Sequence, residues 1–382
     1  MRPARTIAEL TLVAIVATWV RCSWLPLERH RFDGHEADYL AAFQGAVLEP
    51  STRHMPLLAG AYRGLGRLTE APDALLAVNL AAGVVTAVAG ATLARRGRLA
   101  TGLLLALSPT LVFWSANAYH VAIPLALTVV GAAVGGWWGA ALFALGAANR
   151  LELALLAPAV ACLGGWRVAV GAVGALAGWP LLDSAPALTP LATALPVNLQ
   201  LPDFLGALGT PWGLLLVAAS VRRRSLPLLA ATAWVHVVGS CFDDYGTRHA
   251  LLGAVTLAVL VGSSERRWVV AVALAWSAWQ THQVVTWYYA PDSVFQATVP
   301  DLPEPPPCTE VLDDPLARGS HWHVRDAWPE GTVCWGEERI HRAWTSRGLQ
   351  DRALRMHRVY DPVPIGVLSL PGGPRVIYEV TR

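Results

Sequence analysis

"ALLAVNLAAGVVTAVAGATLARRGR", residues 74–98, is the stretch on which the fold turns. Residues 74–94 carry no charge, and Arg95, Arg96 and Arg98 follow at once. An apolar helix of about 20 residues spans the ~30 Å hydrocarbon core of a bilayer. A basic flank marks the end that stays in the cytoplasm. The whole chain has this character: its 382 residues are 54% hydrophobic and only 15% charged. A soluble domain carries about 25% charged residues, so composition points to a membrane protein. The net charge of +2 and the absence of a basic tail or of an arginine run of the kind that binds nucleic acid exclude a nucleic-acid binder. All 29 basic residues are arginine, which excludes Schiff-base chemistry and a lysine general base.

Working outward, "MRPARTIAELTLVAIVATWVRCSWLP" has the basic start and apolar stretch of a signal peptide. It lacks a small-residue cleavage site and further apolar segments follow, so it reads as an uncleaved first membrane helix. Apolar segments recur near 7–24, 74–94, 99–114, 120–135, 137–149, 151–165, 168–182, 205–220, 226–242, 249–263 and 267–287. The expectation is an all-α polytopic membrane protein of about 11 transmembrane helices, occupying residues 1–288. With the N-terminus cytoplasmic, alternation puts Arg95, Arg96, Arg98, Arg167, Arg222, Arg223, Arg224, Arg266 and Arg267 inside. It puts the first outer loop (25–73), loops 183–204 and 243–248, and the tail outside. Trp114, Trp137, Trp138, Trp166, Trp212, Trp268 and Trp287 fall near segment ends, as an aromatic belt does. The expected location is the plasma (inner) membrane.

After residue 288 the chain turns polar and proline-rich. Runs such as "TVCW", "IGVLSL" and "RVIYEV" are strand-like, so 289–382 reads as a small extracytoplasmic α+β domain. Cys308 and Cys334 lie on its oxidising side, where a disulfide is plausible; Cys22, Cys162 and Cys241 read as packing residues of the membrane segments. His321 and His323 have a metal-like spacing, but no zinc pattern surrounds them, and they read as a surface strand or turn.

Four polar clusters sit at outward-facing junctions. "RFDGHEADYLAAFQG" (31–45) carries Asp33, His35, Glu36, Asp38 and Tyr39. "LSPTLVFWSANAYH" carries Ser115, Asn117, Tyr119 and His120. "NRLELALLAP" carries Arg150 and Glu152, and "SCFDDYGTRHALLGAV" carries Asp243, Asp244, Arg248 and His249. Charged groups at a membrane boundary are costly to desolvate and usually line a cavity or meet a ligand. Each has a plainer interpretation. The plainer readings are a solvated loop acid for Glu36, an interfacial snorkelling side chain for Arg150, a partner of Asp243 and Asp244 for Arg248, and a packed loop histidine for His54.

The order of these pieces resembles the GT-C superfamily of polyprenyl-phosphate-dependent glycosyltransferases. The similarity is to the bacterial relatives of dolichyl-phosphate-mannose protein mannosyltransferases and to aminoarabinose transferases. "HEADY" resembles the family's acidic pair followed by tyrosine, and "RHMPLLAG", with His54, Pro56 and Leu57, its proline-rich element. "LSPTLVFWSANAYH", "NRLELALLAP" and "TRHALLGAV" resemble its next three elements in order. The resemblance covers roughly residues 1–290. His35 stands where the family has the first acid, Met55-Pro56 where it has two prolines, and His249 where it has a tyrosine.

The resemblance implies transfer of a sugar from a polyprenyl-phosphate carrier to an extracytoplasmic glycan, lipid or protein, with inversion at the anomeric carbon. Glu36 is the candidate general base, taking the acceptor's hydroxyl proton. Arg150 and Arg248 are candidate partners of the lipid phosphate, matching its oxygens with a fixed fork of donors. His35, Asp38, Tyr39, His54, Glu152 and His249 complete the candidate substrate-binding set. No metal ligands are assigned; a divalent cation is the one cofactor left open. Two competing functions are a transporter or flippase of a lipid-linked substrate and a non-catalytic membrane scaffold. The transporter reading calls for polar groups buried mid-helix and for inverted repeats.

Overall fold

The computed structural model describes residues 3–23, 35–45, 56–116, 121–150, 152–178, 218–222, 225–240 and 251–288, and four short strands beyond them. Among these residues the protein is mostly helical. The helix α1 (Pro3–Ser23) is followed by α2 (His35–Phe43), α3 (Pro56–Gly66) and α4 (Asp73–Leu93). Next come α5 (Arg98–Ala106), α6 (Pro109–Ser115), α7 (Ala122–Val134), α8 (Gly136–Asn149), α9 (Glu152–Leu155) and α10 (Ala157–Gly164). Helices α11 (Trp166–Ala169), α12 (Gly171–Gly178), α13 (Leu226–Ser240), α14 (Leu251–Gly262) and α15 (Arg267–Tyr288) complete the bundle. The strands are β1 (Glu310–Leu312), parallel to β2 (Val333–Trp335), and β3 (Leu354–Arg358), antiparallel to β4 (Val376–Val380).

The opening stretch is α4, whose 21 residues span about 31 Å at 1.5 Å per residue. It is the one described helix that by itself is long and apolar enough to cross a membrane. A second crossing exists if α5 and α6, bent by 54°, are one broken span. The apolar segments near 120–135, 226–242 and 249–263 form the shorter helices α7, α13 and α14. The segment near 151–165 divides into α9 and α10, and residues 205–217 lie outside the described residues.

The break between α5 and α6 has a local cause. Proline disfavours helical geometry in the residue before it, and Ser108 is extended (φ −67°, ψ 117°) ahead of Pro109 at the start of α6. The Ser108 hydroxyl accepts weakly from the Leu111 N–H, 3.5 Å away. Ending α5 releases backbone carbonyls, and a buried carbonyl must find a donor. The Ala106 carbonyl accepts from Arg21 Nη1 at 3.3 Å, and the Leu107 carbonyl from the Thr281 hydroxyl at 2.6 Å. Both donors come from other helices, α1 and α15.

Around this break α1, α4 and α5 pack together, α4 packs on α7, α7 on α8, and α5 on α14. The core is built of small and branched residues, among them Val13, Ala17, Ala87, Leu105, Val129, Phe143, Val235 and Val255. Gly131 and Gly139 let α7 and α8 approach backbone to backbone: a Cβ on Gly131 would sit 2.7 Å from the Gly139 carbonyl oxygen. Such contact between small residues is how helices associate where lipid leaves no hydrophobic drive between them. The outside remains apolar. Ile7, Ile15 and Trp19 on α1, Val78 and Val85 on α4, and Trp137, Trp138, Trp166, Val173 and Trp268 are exposed.

The arginine-rich turns meet at one end of the bundle. Arg98 Nη1 donates to Thr6 Oγ1 at 2.9 Å, bringing the start of α1 to the α4–α5 turn. The Glu265 carboxylate pairs with Arg222 at 2.7 Å and with Arg96 at 3.4 Å, and the Ser263 hydroxyl donates to the Arg96 carbonyl at 3.1 Å. Three turns far apart in sequence thus share one carboxylate. Its hydrogen bond and ion pair with Arg222, helped by Arg96, hold the Glu265 carboxyl below its ordinary value. Trp137 stacks edge-on with Trp166 at 6.3 Å, and the Arg167 guanidinium lies 5.6 Å over the Trp166 ring.

Candidate functional site

Among the described residues, the opposite end of α4 gathers two of the pieces that the sequence singles out, α2 and the end of α8. Helix α2 buries Tyr39, Ala42 and Phe43, positions spaced by three and four and so on one face. That face meets α3, where Leu58 and Tyr62 are buried, and α4, where Leu75 and Leu76 are buried. Tyr39 and Tyr62 touch edge to face with ring centroids 5.4 Å apart. The backbone positions 35 and 36 fall one helical turn before Tyr39. The first turn of a helix favours an acid through the exposed N–H groups there, a structural reason for Glu36 to stand alongside any chemical one.

Polar pairs fasten this end. Asn79 Nδ2 donates to the Tyr62 hydroxyl at 2.7 Å and to the Leu75 carbonyl at 2.9 Å, tying α3 to α4. The Leu58 N–H, unpartnered within the first turn of α3, donates to Asn149 Oδ1 at 2.8 Å. The same amide returns a bond from Nδ2 to the Leu145 carbonyl at 3.0 Å. Asn149 is the last residue of α8, and Arg150 caps that helix in an extended conformation (φ −144°, ψ 94°). Arg150 is 2% exposed, so it is no snorkelling side chain. Its carbonyl accepts from the Leu153 N–H at 2.9 Å, turning the chain into α9, which begins at Glu152.

The elements bearing "HEADY" and "NRLE" are therefore brought together by α3, which contacts both α2 and α8. The side chains of His35, Glu36, Asp38 and Glu152 lie outside the described residues, as do His54, Asn117, Tyr119, His120, Arg248 and His249 entirely. Cys308 and residues 241–250 lie outside them too. Tyr39 and Arg150 are the two candidates whose surroundings are described, and both are buried. Among the described residues no group of three or more His, Cys, Asp or Glu gathers as a metal site. Cys22 and Cys162 are free and exposed on their helices, not packed in the core as the sequence suggests.

A second polar centre joins the serine of the "LSPTLVFWSANAYH" element to a residue that no motif marked. Arg21 on α1 is fully buried. Its Nε donates to Ser115 Oγ at 2.9 Å, and its Nη1 to the carbonyls of Ala17 (3.2 Å) and Ala106 (3.3 Å). Gly83 on α4 makes the space: a Cβ there would sit 2.5 Å from Ser115 Cβ and 2.6 Å from Arg21 Nε. Ser115 ends the "LSP" helix α6, so the serine of that motif finds its partner in an arginine 94 residues away. For Arg21 itself the sequence signal was an arginine inside an apolar helix.

Comparison with known protein families, with characterised proteins and with solved structures finds no match.

Proposed function

We propose that the protein is a polytopic membrane glycosyltransferase that moves a sugar from a polyprenyl-phosphate carrier to an extracytoplasmic acceptor. In this reading the arginine-rich turns face the cytoplasm and the α2–α3 end faces outward. The bundle crosses the membrane about 11 times, and residues 289–382 form the outer α+β domain. The reading rests on the sequence resemblance to the GT-C superfamily. The observation that supports it is the packing of α2 and of the Asn149–Arg150 end of α8 on one helix, α3, at the end away from the arginine cluster. The exposed valines, isoleucines and tryptophans of α1, α4 and α8 support a lipid-facing exterior.

Glu36 is the base that takes the acceptor hydroxyl's proton, and Arg150 and Arg248 face the departing lipid phosphate. His35, Asp38, Tyr39, His54, Glu152 and His249 shape the donor and acceptor sites. The test is transfer of labelled sugar from polyprenyl-phosphate donors to membrane acceptors, by wild type and Glu36→Gln at equal expression. Transfer lost with donor binding retained is the expected result, a fall of about 100-fold or more for a lost general base. Unchanged transfer returns Glu36 to the role of a helix-end acid.

A second reading, transport of a lipid-linked substrate, is favoured by the broken α5–α6 pair and the polar groups buried beside it, features common in transporter cores. It predicts movement of labelled lipid across reconstituted vesicles with no sugar transferred.

A further inference from the structure

Turns far apart in sequence carry arginines to one end of the bundle. Gly97 turns the chain between α4 and α5 at φ 68°, and a Cβ there would overlap the Gly262 carbonyl oxygen on the α14–α15 turn. The Ser263 hydroxyl donates to the Arg96 carbonyl at 3.1 Å, so the two turns lie against each other. Glu265 draws Arg222 in from the segment before α13, at 2.7 Å, and holds Arg96 at 3.4 Å. Arg95, Arg266 and Arg267 are the chain neighbours of these residues, and all three are exposed. Arg5 at the start of α1 is matched by Glu9. Among the described residues, six positive charges, those of Arg95, Arg96, Arg98, Arg222, Arg266 and Arg267, thus stand against the one carboxylate of Glu265. Like charges gathered this closely repel, a cost that an outside anion relieves.

The same end carries a rim of tryptophan. Helix α7 runs alongside α4 in the same direction: Ala82 packs with Ala122 and Ala126, and a Cβ on Gly90 would lie 3.8 Å from Val129. The α7–α8 turn therefore falls at the arginine end, with exposed Trp137 and Trp138 just after it. Trp137 meets Trp166, and Arg167 lies over that ring. Trp268, 58% exposed, follows Arg267. Just inside this rim the surface is apolar, with Ile7, Leu226 and Val272 exposed on α1, α13 and α15. Indole rings settle between water and hydrocarbon, and arginine keeps its head in the water beside them. The ligand that fits has an anionic head and an apolar body, and it covers a broad rim rather than filling a pocket.

We propose that this end of the bundle is a docking surface for anionic phospholipid head groups. Arg95, Arg266 and Arg267 are the primary holders, because no carboxylate pairs with them among the described residues. Arg96 and Arg222 are shared between the lipid and Glu265, whose carboxylate competes for them. The head-group phosphate takes the planar guanidinium fork, and basic clusters at the edge of a membrane segment attract anionic lipid in this way. The acyl chains lie along the apolar surface that begins at Ile7, Leu226 and Val272. The inference rests on the membrane part of the proposed function and is independent of the transfer chemistry.

The test uses the full chain in mixed micelles of a neutral detergent. The probes are dioleoylphosphatidylglycerol, dioleoylphosphatidylcholine and, as the anion without a tail, sodium phosphate. The readouts are a binding isotherm for each lipid and the melting temperature. Phosphatidylglycerol is expected to bind and to raise the melting temperature, and phosphatidylcholine to do neither. The combined variant Arg95→Gln/Arg266→Gln/Arg267→Gln should bind phosphatidylglycerol about 100-fold more weakly, or about fivefold per arginine. Arg67→Gln, exposed beyond α3 at the far end, should leave the isotherm unchanged. Glu265→Gln removes the competing carboxylate and should tighten binding by up to about fivefold. Raising salt from about 0.1 M to about 1 M should weaken binding, as the screening length shrinks from about 10 Å to about 3 Å. Equal binding of the two lipids overturns the proposal, as does a combined variant with an unchanged isotherm. So does a melting-temperature rise reproduced by sodium phosphate at matched ionic strength, which marks a site for free anions. If the combined variant does not fold, Arg95→Gln and Arg266→Gln are read singly, at about fivefold each. Sugar transfer is scored in the same preparations. Arginine-dependent lipid binding without transfer sinks the transferase alone, and transfer with lipid binding indifferent to the arginines sinks this surface alone.

Discussion

Replacing Gly83 by alanine tests how tightly α4 is keyed to α1 and α6. The new Cβ would lie 2.5 Å from Ser115 Cβ, 2.6 Å from Arg21 Nε and 2.7 Å from Ser115 Oγ. Carbon atoms in contact prefer about 3.5–4.0 Å, so α4 must move out by roughly 1 Å or the Arg21–Ser115 bond must break. Overpacking of this kind costs about 1–3 kcal/mol. Losing a hydrogen bond from a charged group adds about 1.5–3 kcal/mol if the bond goes. The change from glycine to alanine returns up to about 1 kcal/mol of helix propensity. Taking the full propensity gain, the net expectation is a destabilisation of about 0–2 kcal/mol with the bond kept and about 1.5–5 kcal/mol if the arginine loses its serine. Gly60→Ala is the control. Gly60 lies on exposed α3 with nothing within 4 Å of an added Cβ, so only the propensity gain remains and the expected sign is reversed. Reversible unfolding in mixed micelles, with folded fraction followed by circular dichroism, measures both. Equal effects of the two substitutions would refute the packing of α1, α4 and α6 described above.

Two further substitutions address the outer end and the arginine end. Tyr62→Phe removes the acceptor of Asn79 Nδ2, which keeps its bond to Leu75, so the cost should be about 1 kcal/mol. A double-mutant cycle with Asn79→Leu should show coupling of about 0.5 kcal/mol or more, and additivity would refute the bond. At the arginine end, the Glu265 carboxyl is depressed below 4.5 by Arg222 and Arg96. A carboxyl depressed on folding stabilises the protein above its unfolded value, and that contribution is lost as pH falls through the folded value. Wild type should therefore lose melting temperature relative to Glu265→Gln as pH drops below about 4.5, and high salt should shrink the difference because the pairs are exposed. A constant difference from pH 7 to pH 3 would remove Glu265 from its role as a tie between turns.

The elements that carry Tyr39 and Arg150 were readable because their signals are local. The "HEADY" spacing places Tyr39 and Phe43 on one helix face, whatever surrounds them. The apolar run of α4 and its arginine flank are equally local. The polar elements at one end were inferred from alternation alone, and Leu58, meeting Asn149 across 91 residues, agrees for α3 and α8. The apolar segments 99–114 and 151–165, each read as one piece, are each divided into two helices. Hydropathy reads average composition over a window, whereas a single proline or turn residue, Pro109 in the first segment and Leu156 ahead of Pro158 in the second, divides a helix.

Arg21, Asn79, Gln280 and Thr281 were invisible in the sequence as a group. An arginine two residues from the end of an apolar helix is expected to reach for the membrane surface. It is buried here because Gly83, Ser115 and the freed Ala106 carbonyl, each on another helix, leave a space of its shape. The sequence by itself determined the helical, apolar character of the chain and the end at which arginines collect. These follow from the hydrophobicity and backbone geometry of neighbouring residues. Which polar side chains lie in the interior, and which of them meet, was decided by tertiary packing, because burial depends on helices that come together from tens of residues apart.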